Sequence, residues 1–244
     1  MQWLRDSWTK EGPGIPKDAP KKHGIALFAE ILRREWWEMV QLNLLFVLAS
    51  LPLVTIPASV AAMTSVSLAF VEDRNTYVAR DFWAAFRRHF GTATIASLVL
   101  GGAVAFGGYA ILCYAVLARE SLVFAAPLGI SLGTTVFIAI FTCHYLVLTV
   151  MRDLPLAQLV RLAALASLAR PLPAIGALGF VAVLWLAHIL LYPVSVFMPV
   201  TMIFSLGMFA ITFGVHRAVT DVLSGLAAPG MGHEAHSAGT ARND

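Results

Sequence analysis

The sequence has few charged residues. Asp, Glu, Lys and Arg make up 13% of its 244 residues, whereas hydrophobic residues make up 59%. An ordinary soluble domain has about a quarter charged residues. A soluble fold of this length could not bury so much apolar surface, and a lipid bilayer removes the need to bury it. The composition therefore excludes an ordinary soluble domain and indicates an integral membrane protein.

The sequence also lacks the common motifs of catalysis and metal binding. It has no Gly-rich phosphate loop ending in Lys and Ser or Thr, so ATP hydrolysis is not expected, and it has no G-x-S-x-G nucleophile turn. Its two cysteines, Cys113 and Cys143, lie far apart in apolar runs and are predicted to be buried hydrophobic side chains. The segment from His233 to His236 resembles a zinc motif, but its spacing does not place both histidines on one helix face. We therefore predict no enzymatic activity, no cofactor and no metal.

Four long stretches contain no Asp, Glu, Lys or Arg: residues 39–71, 90–118, 121–151 and 171–216. A transmembrane helix needs about 20 apolar residues, so the second and third stretches each predict one span. The first and fourth stretches are too long for a single span. We predict that each of these two forms a helical hairpin.

Two pairs of prolines support the hairpins. Pro52 and Pro57 lie near the middle of the first stretch, with Thr55 available to bond freed backbone groups, and Pro193 and Pro199 lie near the middle of the fourth. Paired prolines readily end helices, because each removes a backbone donor and clashes with the preceding turn. The arms of the first hairpin have only about 16 residues, which leaves open a re-entrant pair that does not reach the far side. The predicted fold is an all-α, polytopic membrane bundle with about six transmembrane helices, at residues 39–54, 57–71, 93–118, 121–150, 172–192 and 199–216.

The basic residues predict the orientation of the chain. If the N-terminus is cytoplasmic, 16 of the 17 lysines and arginines lie in cytoplasmic segments and only Arg119 lies outside. Cytoplasmic loops of membrane proteins carry such an excess, so both termini are predicted to be cytoplasmic. The net charge of +3 is then explained by orientation and by contacts with lipid headgroups, and nucleic acid is not expected as a partner.

Residues 80–90 have the pattern of an amphipathic helix. At 100° per residue, one face carries four aromatic side chains and the opposite face carries four charged ones. The aromatic residues are Phe82, Trp83, Phe86 and Phe90, and the charged residues are Arg80, Asp81, Arg87 and Arg88. We predict a helix that lies in the cytoplasmic membrane interface. Residues 27–39 repeat the pattern, and residues 155–168 do so more weakly.

These segments define the organisation of the chain. Residues 25–221 are predicted to form a single membrane domain of three units, each an interfacial helix followed by a hairpin. Residues 1–24 are polar, contain several prolines and lack the apolar core of a signal peptide, so they are predicted to form a cytoplasmic segment. Residues 222–244 are rich in Gly, Ala, Ser and His, which predicts a disordered cytoplasmic tail.

Some residues within the apolar stretches are candidates for function or for packing. Asn43, His144 and His188 are polar, and such groups in a membrane are functional candidates because leaving them unpaired is costly. No predicted span contains an acidic partner, so the structural interpretation, a hydrogen bond between helices, is favoured. Gly129 and Gly133 form a G-x-x-x-G pattern that lets helices approach closely, and we predict that it packs within one subunit.

Two blocks of sequence resemble the YesL family of bacterial membrane proteins. Residues 43–57 read Asn-Leu-Leu-Phe-Val-Leu-Ala-Ser-Leu-Pro-Leu-Val-Thr-Ile-Pro, and residues 80–90 read Arg-Asp-Phe-Trp-Ala-Ala-Phe-Arg-Arg-His-Phe. The order and spacing of the blocks match that family, and the resemblance covers residues 39–100. The family's motif has Gly or Pro at the position of Pro57, and many relatives carry Gly there. The residues shared with the family's motif are Asn43, Pro52, Thr55, Pro57, Asp81, Phe82 and Phe86.

The resemblance implies a location and a role. The family has no established catalytic activity, and its members are associated with carbohydrate ABC importers in the bacterial cytoplasmic (inner) membrane. We therefore expect a non-enzymatic accessory protein of sugar uptake, with the lipid bilayer and ABC transporter subunits as partners. A small stand-alone transporter or channel is the alternative, and the absence of charge within the spans favours the accessory role. Arg87 and Arg88 are candidate contacts with a partner or with lipid headgroups.

Overall fold

The computed structural model describes residues 23–227, and these contain helices and turns but no strand, which confirms the predicted all-α class. The predicted segment 1–24 and tail 222–244 lie almost entirely outside the described residues. The tail boundary is wrong by several residues, because the last helix continues to Ala227. The α-helices of the described range are α1 (Ile25–Arg34), α2 (Trp36–Ala49), α3 (Ile56–Val71), α4 (Val78–Leu117), α5 (Ala125–Met151), α6 (Leu156–Ala169), α7 (Pro171–Leu190) and α8 (Phe204–Ala227).

Five helical segments in this range are long and apolar enough to cross a membrane, judged by length and composition. They are Leu53–Val71, Val78–Leu117, Leu122–Met151, Pro171–Leu190 and Pro199–Ser224. Each overlaps one of the predicted spans. They confirm that the molecule is a bundle of membrane helices.

The predicted first span, residues 39–54, is wrong in its length. Helix α2 has 14 residues and ends at Ala49, so it is about 21 Å long, shorter than the ~30 Å hydrocarbon core. Pro52 is the physical reason, because a proline disfavours helical geometry in the residue before it. Helix α2 is therefore the short arm of a hairpin with α3, and its length suits the re-entrant alternative.

Residues 80–90 are helical as predicted, but they do not form a separate helix, because they are the beginning of α4. This helix has 40 residues and is about 60 Å long, roughly twice the thickness of the hydrocarbon core. No proline lies between Val78 and Leu117, and Gly91, which follows the charged residues, does not end the helix. The change in composition near Phe90 marks a change of surroundings along one continuous helix.

The predicted helix 27–39 is divided into α1 and α2 at Glu35. Backbone hydrogen bonds continue through this bend, from the Glu35 N–H to the Ile31 carbonyl at 2.8 Å and from the Met39 N–H to the Glu35 carbonyl at 2.9 Å. The bend separates the apolar face of α1 from the exposed Trp36 and Trp37. The helix predicted at residues 155–168 corresponds to α6.

Two apolar clusters hold the bundle together. The first combines α1, α2, α3, the beginning of α4 and the first half of α8. The second combines the ends of α5 and α8 with α6 and the beginning of α7. Helix α8 thus contributes to both clusters and connects them.

Phe28 of α1 lies among three aromatic rings. Its ring centroid is 5.0 Å from that of Phe209, 5.4 Å from that of Phe213 and 5.6 Å from that of Phe180.

The remaining parts of α4 and α5 form a hairpin that projects from this bundle beyond Ala96 and Leu100, which pack against the second cluster. No residue between Ala93 and Ile140 is buried. The two helices contact each other at Gly107, where an added Cβ would clash with the Thr135 hydroxyl. We call residues 94–139 the projecting hairpin.

Candidate functional site

Asn43 connects α2 to the beginning of the last membrane helix. Its side chain is fully buried, and its amide donates to the carbonyls of Pro199 at 2.9 Å and Val200 at 2.6 Å. Its carbonyl oxygen accepts from the Ser205 N–H at 3.0 Å. Residues Pro199–Ile203 form a π-helical turn before α8, where the regular backbone pairing is interrupted. The structure thus places this motif residue in a packing role in which every polar atom of its side chain is satisfied.

Thr55 holds the turn between α2 and α3. Its hydroxyl lies 2.5 Å from the carbonyl oxygens of both Ala49 and Pro52. Ala49 is the last residue of α2 and Pro52 follows it, where the helix leaves its acceptors unpaired. Pro57 lies in the first turn of α3, a position that tolerates the missing N–H. The structure brings these three motif residues together in one turn.

Asp81 and the aromatic motif residues organise the beginning of α4. The Asp81 carboxylate accepts from the Tyr77 N–H at 2.9 Å, which pairs a donor left free at the helix start. Phe82 is fully buried in the first cluster, and Phe86 packs against its edge. The prediction that Phe82 anchors a helix in the interface is therefore wrong, whereas Trp83 and Phe90 remain exposed.

Arg87 and Arg88 have different surroundings, although they are neighbours. Arg88 forms an ion pair with Asp153, which lies between α5 and α6. Arg87 is exposed and forms no ion pair with any residue from 23 to 227. Of these two candidate contact residues, Arg88 is thus engaged within the chain and Arg87 is available to a partner or to lipid.

Other ion pairs join elements at the same end of the bundle, which we call the arginine-rich end. Arg34 of α1 lies 2.6 Å from Asp73, which follows α3, and Arg170 lies 2.6 Å from Asp221 of α8. The hydrogen bond to Glu35 raises the pKa of Arg34, and the charge of Asp73 acts in the same direction. These side chains are about half exposed or more, so each pair stabilises the fold only slightly.

His144 and His188 lie in α5 and α7. His144 is fully buried, with Nδ1 at 2.9 Å from the Ile140 carbonyl and 3.3 Å from Ser167 Oγ in α6. Because the Ser167 hydroxyl donates to the Ala163 carbonyl at 2.7 Å, Nδ1 of His144 must carry the proton. Nε2 of His144 and Nδ1 of the partly buried His188 have no partner among the described residues. The structure does not bring the two histidines into a shared site.

Gly129 and Gly133 lie on an open face of the projecting hairpin. No atom of the described chain lies within 4 Å of a Cβ built at either position. The prediction that this G-x-x-x-G pattern packs within the subunit is therefore wrong. The physical reason is that α5 contacts α4 through another face, which includes Thr135.

A cavity of about 430 Å³ lies where α4, α5 and α6 meet. Its lining is polar toward the arginine-rich end, with His89, Arg152 and Asp153, and apolar toward the projecting hairpin. No pattern in the sequence assigns a role to these three residues. The available signal was the charged pair that directly follows the long apolar stretch 121–151.

Chemical machinery for catalysis is not apparent in the part of the chain that the structure describes. No group of three His, Cys, Asp or Glu residues there could hold a metal ion. Cys143 is buried and Cys113 is partly buried, and neither forms a disulfide. His233 and His236 lie outside the described residues.

Residues 39–110 match a family described as a protein of unknown function, DUF624. The match covers less than a third of the chain, and it includes both resemblance blocks and all seven motif residues. It extends from α2 into α4 and ends within the projecting hairpin. Neither the curated proteins nor the solved structures compared with the chain include a significant match.

Proposed function

We propose that this protein is a non-enzymatic membrane protein of the YesL type that acts as an accessory component of carbohydrate uptake by an ABC transporter. In this proposal it lies in the bacterial cytoplasmic membrane with both termini in the cytoplasm. The excess of arginine at one end of the bundle supports the orientation. The resemblance supports the partner class, and the DUF624 match is consistent with it.

The observation that carries the proposal is the projecting hairpin. A bundle that needed no partner could pack all of its spans together, but no residue between Ala93 and Ile140 is buried. Its surface combines large apolar side chains with the open Gly129 and Gly133. Membrane helices associate by close packing at small residues, because lipid already satisfies apolar surface. A face of this kind suits a membrane helix of another protein.

A stand-alone transporter or channel is the second candidate. The observation that favours it is a set of buried polar atoms with no partner among the described residues, which includes the Ser67 hydroxyl and Nε2 of His144. Polar groups inside a membrane bundle can mark a substrate path. Against this candidate, the apolar stretches of the spans contain no Asp, Glu, Lys or Arg, and the polar atoms of Asn43 are all engaged.

Co-purification in a mild detergent tests the proposal. We expect the tagged protein to retain membrane subunits of a carbohydrate ABC importer in stoichiometric amount, identified by mass spectrometry. Replacing both Gly129 and Gly133 with Ile should abolish the complex, because added side chains prevent close approach. The matched control replaces Gly176 and Gly179 of α7 with Ile, since these glycines also have no neighbouring atoms within 4 Å.

The outcomes separate the two candidates. A complex that survives the first double substitution, or that both double substitutions abolish equally, contradicts docking through the projecting hairpin. Purified protein that lacks transporter subunits and carries sugar into liposomes by itself would establish the stand-alone transporter instead.

A further inference from the structure

The cavity between α4, α5 and α6 changes from polar to apolar along its length. On α4 its lining runs from His89 to Leu100, and on α5 it runs from Thr149 to Phe141, with Arg152 and Asp153 just beyond the end of α5. The run on α4 covers 12 residues, or about 16 Å of helix. The volume of about 430 Å³ lies within the usual range of small-molecule sites. The site therefore suits a ligand with one polar end and one apolar end.

The apolar half of the cavity opens sideways. Ile95 and Val99 line it, and their side chains are 70% and 65% exposed. Both residues lie in an uncharged part of α4, which is surrounded by lipid in a protein of this class. A ligand reaches this half directly from the bilayer. A water-soluble ligand has no apolar part that could cover the apolar lining of this half.

The polar half contains one positively charged side chain that has no ion-pair partner within residues 23–227. Arg152 is exposed and its side chain forms no hydrogen bond or ion pair within residues 23–227. The neighbouring carboxylate of Asp153 is neutralised by Arg88. The polar half of the cavity therefore presents the guanidinium group of Arg152, whose five donors suit the oxygens of a phosphate.

We propose that this cavity binds one anionic phospholipid from the leaflet at the arginine-rich end, with the phosphate at Arg152. One acyl chain lies along the apolar half, between Val99 of α4 and Phe141 of α5. Thr92 and Thr149 line the polar part of the cavity and lie between the headgroup region and the chain. The proposal concerns the isolated protein and does not depend on a transporter partner.

Native mass spectrometry can test the lipid site. The purified protein is released from nanodiscs that contain equal amounts of phosphatidylglycerol and phosphatidylethanolamine, and the retained lipids are counted. We expect one phosphatidylglycerol to remain bound preferentially. Replacing Arg152 with Gln should lower this preference about fivefold, the effect expected for one basic residue at a lipid phosphate. Arg161→Gln is the matched control, because Arg161 is an exposed arginine of α6 that does not line the cavity.

A second variant tests the apolar half independently. Val99→Trp should fill the cleft and reduce retention of both phospholipids, while the exposed position keeps the fold intact. Circular dichroism and gel filtration verify folding, and Ile95→Trp serves as the replacement if Val99→Trp does not fold. Equal effects of Arg152→Gln and Arg161→Gln would overturn the proposal in favour of general surface attraction. Full lipid retention in the folded tryptophan variant would also overturn it.

Discussion

The inner helix α3 and the projecting hairpin are both apolar, yet they are surrounded differently. In its most apolar segment, the span of α3 has 61% of its residues buried, whereas the corresponding segment of α4 has none. The buried face of α3 consists largely of small residues, such as Ala58, Ser59 and Ala62, which allow close helix packing. Hydrophobicity therefore does not distinguish the core of this protein from its surface. Small side chains alone do not distinguish them either, because Gly129 and Gly133 lie on an open face of the hairpin; contacts with neighbouring helices do.

Labelling of introduced cysteines should give an all-or-none contrast between the two ends of the molecule. With Cys113 and Cys143 replaced by Ala, we expect Glu120→Cys at the tip of the hairpin to react with an impermeant reagent added to intact cells. Arg80→Cys and Asp153→Cys should not react, because the arginine-rich end is cytoplasmic in the proposed orientation. Labelling of Arg80→Cys in intact cells would overturn that orientation.

Substitution of Asn43 should cause the largest loss of stability within the bundle. Asn43→Leu leaves two carbonyls and one N–H unpaired in a buried site, and we expect it to lower the free energy of unfolding by about 3 kcal/mol. Denaturation in detergent micelles measures this change. Thr201→Val is the control, because the exposed Thr201 hydroxyl bonds only to nearby carbonyls of its own segment. Equal effects of the two substitutions would argue against the bond between α2 and α8.

A matched pair of phenylalanines can sharpen the comparison between bundle and hairpin. Phe209 is fully buried beside Phe28, whereas Phe106 in the projecting hairpin is 74% exposed. We expect Phe209→Ala to cost about 2 kcal/mol, less than in a soluble core because lipid also solvates the exposed ring. Phe106→Ala should leave the stability of the isolated protein unchanged. A comparable loss for Phe106→Ala would mean that the hairpin packs against the bundle.

The sequence predicted the membrane bundle correctly because the signals for it are local. Charge-free stretches mark the spans, and the prolines mark the turn after α2. The sequence does not predict the continuous helix α4, because the change from charged to apolar residues at Gly91 resembles a helix boundary although no proline is present. The partners of Asn43 lie 156 or more residues away. A buried amide requires partners, but no local pattern can identify which backbone groups provide them.

The cavity could not be predicted for a similar reason. Its polar residues come from two separate parts of the chain, within residues 89–92 and 145–153, and none is among the seven motif residues. Arg152 and Asp153 are adjacent in sequence, yet one of them is paired with α4 and the other is not. Only the spatial arrangement distinguishes their roles.

The smallest expected effects concern the ion pair between Arg88 and Asp153 at the base of the projecting hairpin. The pair of Arg88 and Asp153 is exposed on both sides, with side-chain exposures of 61% and 70%. A double-mutant cycle with Arg88→Gln and Asp153→Asn should give a coupling free energy of about 0.5 kcal/mol at low salt. The coupling should nearly vanish in about 1 M salt, where the Debye length is ~3 Å. Coupling that persists in high salt would contradict an exposed pair.

The same two arginines then allow a test of docking at the arginine-rich end. Lys keeps the charge that attracts lipid headgroups but loses the fork geometry that binds a carboxylate through two bonds. Because Arg88 is engaged with Asp153 and Arg87 is not, we expect Arg87→Lys to weaken co-purification of the transporter subunits and Arg88→Lys to leave it unchanged. If neither substitution has an effect, attraction to lipid is sufficient to explain Arg87. If Arg88→Lys has the larger effect, the pair with Asp153 must open when the partner binds.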